Sequence, residues 1–464
     1  MSRVQTTKRK TSFICFFFVV WYTTYYFMNN NIFSSEKERL TKIRLSSSLT
    51  LSSNTLSTIY NNDNPLEELN MRFCGQTTCK FLFVYDYGEQ ETKANLHFRS
   101  FSQLAEKLNR TMILTNVGSS QINICQNYPF DFYYDLKLLR QEFPNVIYKY
   151  EDDFYLWLKI RDEIKKKMNY KKDNEIIPPL SILHSHLRRY DITTETIYRE
   201  VKPVVSLNKC LSKFEPFMNL VDPKNSKVRY TIMDIAKSDI RPRAKPEFSE
   251  LLVESLTTDE EIMLVNSFVL EALFPKVMPA IPYNDYILNE AQKLKDKLSS
   301  SYIAIHWRLE QARPELLPEC AQGLIKTLKR VMTEEGIENI YLATDYPLLS
   351  SKSQSDTFKD ITNYHHEAIR MLNETFKINT WVSLGGLEDL RKDKNYHSEF
   401  VGPGLQGILD KLVCIDANYF LAGSFGCSRI LSTFTKSIED ERKDKIRNID
   451  SGILNTIDRW KIIL

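Results

Sequence analysis

The chain has 464 residues, 42% hydrophobic and 26% charged, with a formal net charge of +3. That length allows two domains with full cores, and the balance excludes both a mostly disordered chain and a dedicated nucleic-acid binder. No internal period of 20–50 residues is visible, which excludes a solenoid or propeller array.

Arg3, Lys8, Arg9 and Lys10 precede an uncharged run from Thr11 to Ile32, whose apolar centre, Phe13 to Met28, contains Phe16-Phe17-Phe18-Val19-Val20-Trp21. This is near the short end of a membrane span and suits a thin early-secretory bilayer. The run closes on Tyr25-Tyr26-Phe27-Met28-Asn29, not on the small residues of a signal-peptidase site, so an uncleaved anchor is expected rather than a signal peptide. The basic flank predicts a cytoplasmic tail over 1–12 and a signal-anchor over 13–32, with the remainder lumenal in the Golgi or endoplasmic reticulum: a single-pass type II arrangement. Residues 33–70, rich in Ser, Thr, Asn and charge, read as a flexible stem.

Cysteine usage agrees with an oxidising lumen. Cys15 lies in the span, leaving Cys74, Cys79, Cys125, Cys210, Cys320, Cys414 and Cys427. That odd set leaves at least one free or paired between chains. Cys74 and Cys79 lack the second close-spaced pair a zinc site needs, so a disulfide framework is expected. Asn109-Arg110-Thr111 and Asn373-Glu374-Thr375 are glycosylation sequons, usable only in a lumen.

The first domain is expected over 71–284. Lys80–Tyr85 reads as a strand, Asp86–Thr92 as a polar loop, Lys93–Leu108 as a helix with Leu96, Phe101, Leu104, Ala105 and Leu108 at helical spacing, and Arg110–Thr115 as a second strand. Strand, loop, helix and strand make a βαβ unit and hence a parallel sheet. From Cys125 to Asn284 the pattern thins to aromatic clusters, a lysine-rich face at Lys165–Lys172, and Pro178-Pro179. Glu151-Asp152-Asp153 precedes an apolar run and reads as the acidic first turn of a helix, not as a metal-ligand pair.

The second domain, 285–464, alternates clearly. A charged helix over Tyr286–Ser299 leads to strand Tyr302–His306, helix Glu319–Glu334, strand Asn339–Ala343, helix Ile361–Phe376, strand Ile378–Ser383, helix Leu405–Ala417 and strand Tyr419–Ala422. Gly423-Ser424-Phe425-Gly426-Cys427-Ser428 then opens a last helix, Arg429–Glu441. Amides and hydroxyls at a helix N-terminus favour a phosphate, although no Gly-Lys-Ser/Thr follows to make a Walker loop. Arg308, just past strand Tyr302–His306, presents a planar charged fork at the carboxyl end of a sheet, where α/β folds bind ligands. Together the two describe a diphosphate clamp, and Asp410 on the preceding helix is a candidate acceptor for a base N–H.

His306-Trp307-Arg308 after a strand, Tyr341-Leu342-Ala343-Thr344-Asp345, and Asp410 with Cys414, Ala417, Tyr419-Phe420 and Ala422-Gly423-Ser424 resemble the C-terminal half of GDP-fucose-dependent fucosyltransferases, and among them the protein O-fucosyltransferase-like family. Gly88–Ser100 followed by Leu108–Thr111 is similar to that family's first βαβ unit. The resemblance implies an α/β GT-B fold of two facing Rossmann-like domains, the first on the acceptor side and the second holding GDP-fucose. It implies inverting transfer of fucose to a Ser/Thr or glycan hydroxyl, with no metal and no cofactor beyond the donor. By position it places Arg308 on the β-phosphate, His306 beside it and Asp410 on guanine. For the phosphate loop, Ser424, Phe425, Gly426, Cys427 and Ser428 are preferred over the alternative Ser432-Thr433-Phe434. The first loop, Gly88-Glu89-Gln90-Glu91, departs from the glycine-rich, asparagine-containing form of protein-modifying members. One related subgroup uses a glutamate here as base, so Glu89 or Glu91 is expected in that role. His184-Ser185-His186-Leu187-Arg188-Arg189 mimics the His-x-Arg signature but is not followed by a strand–helix–strand series. The alternatives are a non-catalytic lumenal nucleotide-sugar or glycan-binding protein of the same fold, and a GT-B transferase using another nucleotide-sugar.

Overall fold

A computed structural model describes residues 53–168, strands between 180 and 266, and 280–462, with short interruptions near 300, 311, 350–359, 393–395, 401, 430–431 and 449–451. The expected anchor, the first part of the stem, and Ser185–Arg189 of the second His-x-Arg segment lie outside the described residues. Among those residues no helix is long and apolar enough to cross a membrane.

The chain is already helical inside the expected stem, with α1 at Ser53–Tyr60 and α2 at Pro65–Cys74. Proline opens α2, and Gly75 closes it at φ 67, a left-handed cap that glycine adopts without a Cβ clash. β1 (Phe81–Gln90), α3 (Glu91–Lys107) and β2 (Thr111–Leu114) form the expected βαβ unit. The stretch read as a polar loop is not one. β1 continues to Gln90 because β4 pairs with its second half, Asp86 opposite Asn123 and Gln90 opposite Gln121. α3 then starts directly at Glu91. A hairpin of β3 (Val117–Gly118) and β4 (Gln121–Asn123) follows, its two-residue turn Ser119-Ser120 in the left-handed region at φ 49 and 62.

Next come α4 (Lys137–Glu142), β5 (Tyr148–Tyr150) and α5 (Glu151–Lys167). As the acidic run predicts, Glu151, Asp152 and Asp153 occupy the first turn of α5, with Asp153 accepting from the Tyr150 backbone at 3.3 Å. Asn70 of α2 accepts the Trp157 indole N–H of α5 at 3.0 Å, and Phe81 packs edge-on against Phe154 and Trp157. Strands β6 (Leu180–His184), β7 (Thr193–Glu200), β8 (Lys227–Asp234) and β9 (Ile262–Asn266) complete this sheet. β1 lies between β2 and β9, parallel to both.

The second sheet begins after α6 (Asp285–Lys297). Its elements are β10 (Tyr302–Trp307), α7 (Leu317–Glu335), β11 (Asn339–Thr344), α8 (Asn363–Thr375), β12 (Ile378–Asn379), short α9 (His397–Phe400), α10 (Pro403–Asp416), β13 (Tyr419–Gly423), α11 (Thr433–Asn448) and β14 (Asp458–Trp460). All pairs are parallel, in the order β12-β11-β10-β13-β14. Every residue of β10 is buried, as in a strand covered on both faces. The core gathers Ile303, Ile305 and Trp307 of β10 with Leu324, Leu328 and Val331 of α7 and Leu372 of α8.

Two elements of this sheet depart most from the sequence reading. β12 stops at Asn379, where Thr380 and Ser383 turn the chain by hydrogen-bonding each other. The last helix starts at Thr433, not Arg429. Its cap is Ser432, whose hydroxyl accepts the Thr435 N–H at 3.3 Å.

Candidate active site

The chain leaves β10, runs outward through β11 and β12, then returns to β13 on the other side of β10. Loops diverge at such a switch point, and a crevice opens beyond the carboxyl ends of the strands. A cavity of about 580 Å³ lies there, lined by both sheets' loops. One wall is Glu89–Lys93 and Ser119–Asn123; the other includes His306, Arg308, Thr344, Asp345, Asp410, Arg429 and Ser432–Phe434. Pro403, Gly404, Gln406 and Gly407 at the start of α10 close it, so three helix N-termini, those of α3, α10 and α11, border one space.

Arg308 sits one residue past β10. Serine 428 donates its hydroxyl to the Arg308 carbonyl at 2.9 Å. On the other side, Asp345 accepts the N–H groups of Leu309 at 2.8 Å and Glu310 at 3.0 Å. The guanidinium is held by Glu310, from Nε at 3.0 Å and Nη2 at 2.5 Å. Burial pushes the Asp345 carboxyl up to about 6, against the pull of those two amides and of Arg308.

His306 is buried, its Nδ1 2.9 Å from the Thr435 hydroxyl and its ring against Phe434. Burial, then the charges of Arg308 and Arg459, lower its pKa to about 3, so it is neutral. It fixes the first turn of α11 to the end of β10. Asp410 faces the cavity from α10 and accepts from Tyr341 at 2.5 Å. Burial raises its pKa to about 8, with the Tyr341 and Thr344 hydrogen bonds pulling the other way.

The loop Ser424–Ser428 does not line the cavity. Phe425 points outward, 74% exposed, Cys427 is in a buried disulfide with Cys320, and Ser428 is used up on the Arg308 carbonyl. Its work is structural, gripping the backbone behind Arg308. The wall position belongs to Arg429 and to Ser432, Thr433 and Phe434, the alternative raised by the resemblance. The signal for it was present: a serine at the cap position directly before the helix.

The two first-loop glutamates have different surroundings. Glu91 is buried, and its carboxylate is engaged by Lys411 Nζ at 3.1 Å and the hydroxyls of Tyr134 at 3.0 Å and Tyr283 at 2.7 Å. It bolts α3 to α10, and each oxygen already accepts two hydrogen bonds, Oε1 from Tyr134 and Tyr283 and Oε2 from Lys411 and Thr92. Glu89 is part-exposed on the cavity wall and pairs with Lys93 at 2.6 Å. A second bolt joins the Ser119-Ser120 turn to α9: Glu399 accepts the Ser119 N–H at 2.8 Å and the Tyr133 hydroxyl. At that seam α10 passes so close that a Cβ on Gly404 would meet Glu399 Oε1 at 2.6 Å and the Ser120 nitrogen at 2.7 Å. Among the described residues no three His, Cys, Asp or Glu side chains converge as a cation site.

A model of the GDP-fucose protein O-fucosyltransferase family matches residues 95–444. The chain belongs to that family. Among solved structures, this fucosyltransferase is similar to POFUT1 in complex with GDP, at 14% identity over 79% of this chain and 95% of the other, with a TM-score of 0.38. It is likewise similar to POFUT1 in complex with GDP-fucose, at 13% identity over 79% and 95%, TM-score 0.40. The fucosyltransferase NodZ from Bradyrhizobium aligns at 9% identity over 78% and 92%, TM-score 0.35. No curated protein matches the chain. The family match covers the cavity residues from Ser119 to Phe434 and begins just after the Glu89–Lys93 wall.

Proposed function

We propose that the enzyme transfers fucose from GDP-fucose, with inversion and without a metal ion, to a hydroxyl of a Ser/Thr side chain or a glycan in the lumen of the secretory pathway. The observation that carries this reading is the presence on one cavity wall of Arg308, Arg429 and the first turn of α11, opposite Glu89. When the bond between fucose C1 and the β-phosphate oxygen breaks, negative charge grows on the phosphate. Guanidiniums and helix-end amides already in place stabilise it without reorganising. Asp410, giving up its proton as the base enters, accepts from the guanine N1–H and amino group. Glu89, on the acceptor wall, takes the proton from the incoming hydroxyl, a contribution of about 10²–10⁴-fold. Attack from that side, opposite the departing diphosphate, inverts the anomeric centre. The disulfides Cys74–Cys79 and Cys320–Cys427, with Cys125 also disulfide-bonded, support an oxidising compartment.

Arg308→Ala tests the reading. Loss of one preorganised donor to developing charge costs about 3–4 kcal/mol, or about 10²–10³-fold in kcat. Near-wild-type turnover of GDP-fucose by a folded Arg308→Ala protein would remove the mechanism. Full activity in excess EDTA is expected, and its loss would point to a metal-dependent transferase.

A further inference from the structure

A carboxylate lies behind the two cavity arginines, and its role concerns the diphosphate after the sugar has left. This inference rests on the reading of the cavity as the donor site. Arg308 and Arg429 line the cavity; Glu310 does not. Glu310 Oε2 accepts from Arg308 at 2.5 and 3.0 Å, and its Oε1 stands 3.7 Å from Arg429 Nη1. The Glu310 side chain is 9% exposed and its backbone N–H is tied to Asp345, so it cannot swing away with a loop. The Arg429 N–H donates to the Arg308 carbonyl at 3.4 Å, which joins the two arginines through the backbone as well.

Two guanidiniums with one carboxylate leave a single unit of positive charge, and Asp345 on the same wall adds a further carboxylate committed to two amides. A sugar diphosphate carries about one negative charge per phosphate, whereas free GDP gains most of a third because a terminal phosphate ionises near pH 6. A clamp with two uncompensated arginines would therefore hold the product much more tightly than the donor. We propose that Glu310 is a positioning residue that cancels half of the arginine pair's charge, so that GDP leaves after transfer while the geometry of the pair is kept.

A unit charge about 10 Å from a terminal phosphate, at the effective dielectric of a protein site, moves an equilibrium by about tenfold. The test is calorimetric titration of GDP and of GDP-fucose into wild type, Glu310→Gln, Arg429→Gln and the double variant. Glutamine keeps an acceptor oxygen for Arg308 and removes the charge. The ratio of GDP affinity to GDP-fucose affinity is expected to rise about tenfold in Glu310→Gln, to fall in Arg429→Gln, and to return to within about threefold of wild type in the double variant. An unchanged ratio in Glu310→Gln, or equal weakening of both ligands, overturns the proposal and makes Glu310 a mere prop. Should Glu310→Gln fail to fold by thermal melt, Arg429→Gln alone decides, an unchanged ratio again overturning it. Wild type that binds neither ligand takes down the donor-site reading and this inference together; binding of both with an unmoved ratio sinks the inference only.

Discussion

The Glu91–Lys411 bolt offers the sharpest stability test. Both side chains are 4% exposed and 3.1 Å apart, and Lys411 also lies 4.9 Å from the Tyr283 ring centre. The gross attraction at that distance is about 5 kcal/mol at an effective dielectric of 20. Lys411→Met keeps the stem's bulk and removes the charge, leaving a buried carboxylate whose loss of partner costs about 3–5 kcal/mol. Protonation caps that cost. For a glutamic acid of ordinary pKa about 4.3, taking up a proton costs about 3.7 kcal/mol at pH 7 and about 1 kcal/mol at pH 5. A carboxyl buried without a charge partner holds a proton more firmly in the folded than in the unfolded chain, so stability present at low pH is lost as pH rises. Glu441, pushed up by burial and held down chiefly by Lys411, changes in the same direction. Urea unfolding followed by the buried tryptophans should thus show Lys411→Met destabilised by about 3–4 kcal/mol at pH 7 and by about 1 kcal/mol at pH 5. Adding Glu91→Gln should recover part of the neutral-pH loss. A destabilisation equal at both pH values, or no recovery in the double variant, would refute the account.

Asp410, with its pKa raised to about 8, binds a proton in the folded state that it gives up near pH 4 when unfolded, so wild-type stability should fall as pH rises between those values. Asp410→Asn should flatten that part of the pH profile and weaken GDP binding by at least about tenfold, read by calorimetry. Gly404→Ala forces a Cβ into Glu399 and the Ser120 backbone; a loss of about 1–3 kcal/mol in unfolding free energy and weaker GDP binding are expected. Replacing both Cys320 and Cys427 by serine opens a link spanning 107 residues. It should cost about 2–5 kcal/mol, with GDP restoring part of the lost melting temperature.

Strands β10, β11 and β13 were legible because burial on both faces demands unbroken apolar runs, as in Tyr302–Ile305 and Tyr419–Ala422. Arg308, His306 and Asp410 were legible because strand ends and a preceding helix place them where a parallel sheet opens. Ser424–Ser428 was expected on the cavity wall and is not there, because glycine and serine after a strand look alike whether they cap a helix or brace a backbone. Only the disulfide to Cys320 and the bond from Ser428 to the Arg308 carbonyl separate those uses, and both partners are remote in sequence. Glu310 was missed for the same reason, since its meaning is a pairing with Arg429, 119 positions away. Glu91 resembled a base by its place in the first loop. Its engagement by Lys411, Tyr134 and Tyr283 depends on contacts spanning up to 320 residues. β1's extension to Gln90 depends on β4, a partner that local propensity does not reveal.

β14 carries a consequence for biosynthesis. Trp460, 1% exposed, packs against Trp307 of β10, and Arg459 donates to the Gly423 carbonyl at the end of β13. Translation delivers residues in order at about 5–20 per second, so Arg308 emerges well before the strand that seals its sheet. The second sheet stays unfinished until codon 460 has been read, and a nonsense codon just before 458 should disable the enzyme as surely as a lesion at Arg308, although none of the described side chains from 458 on lines the cavity.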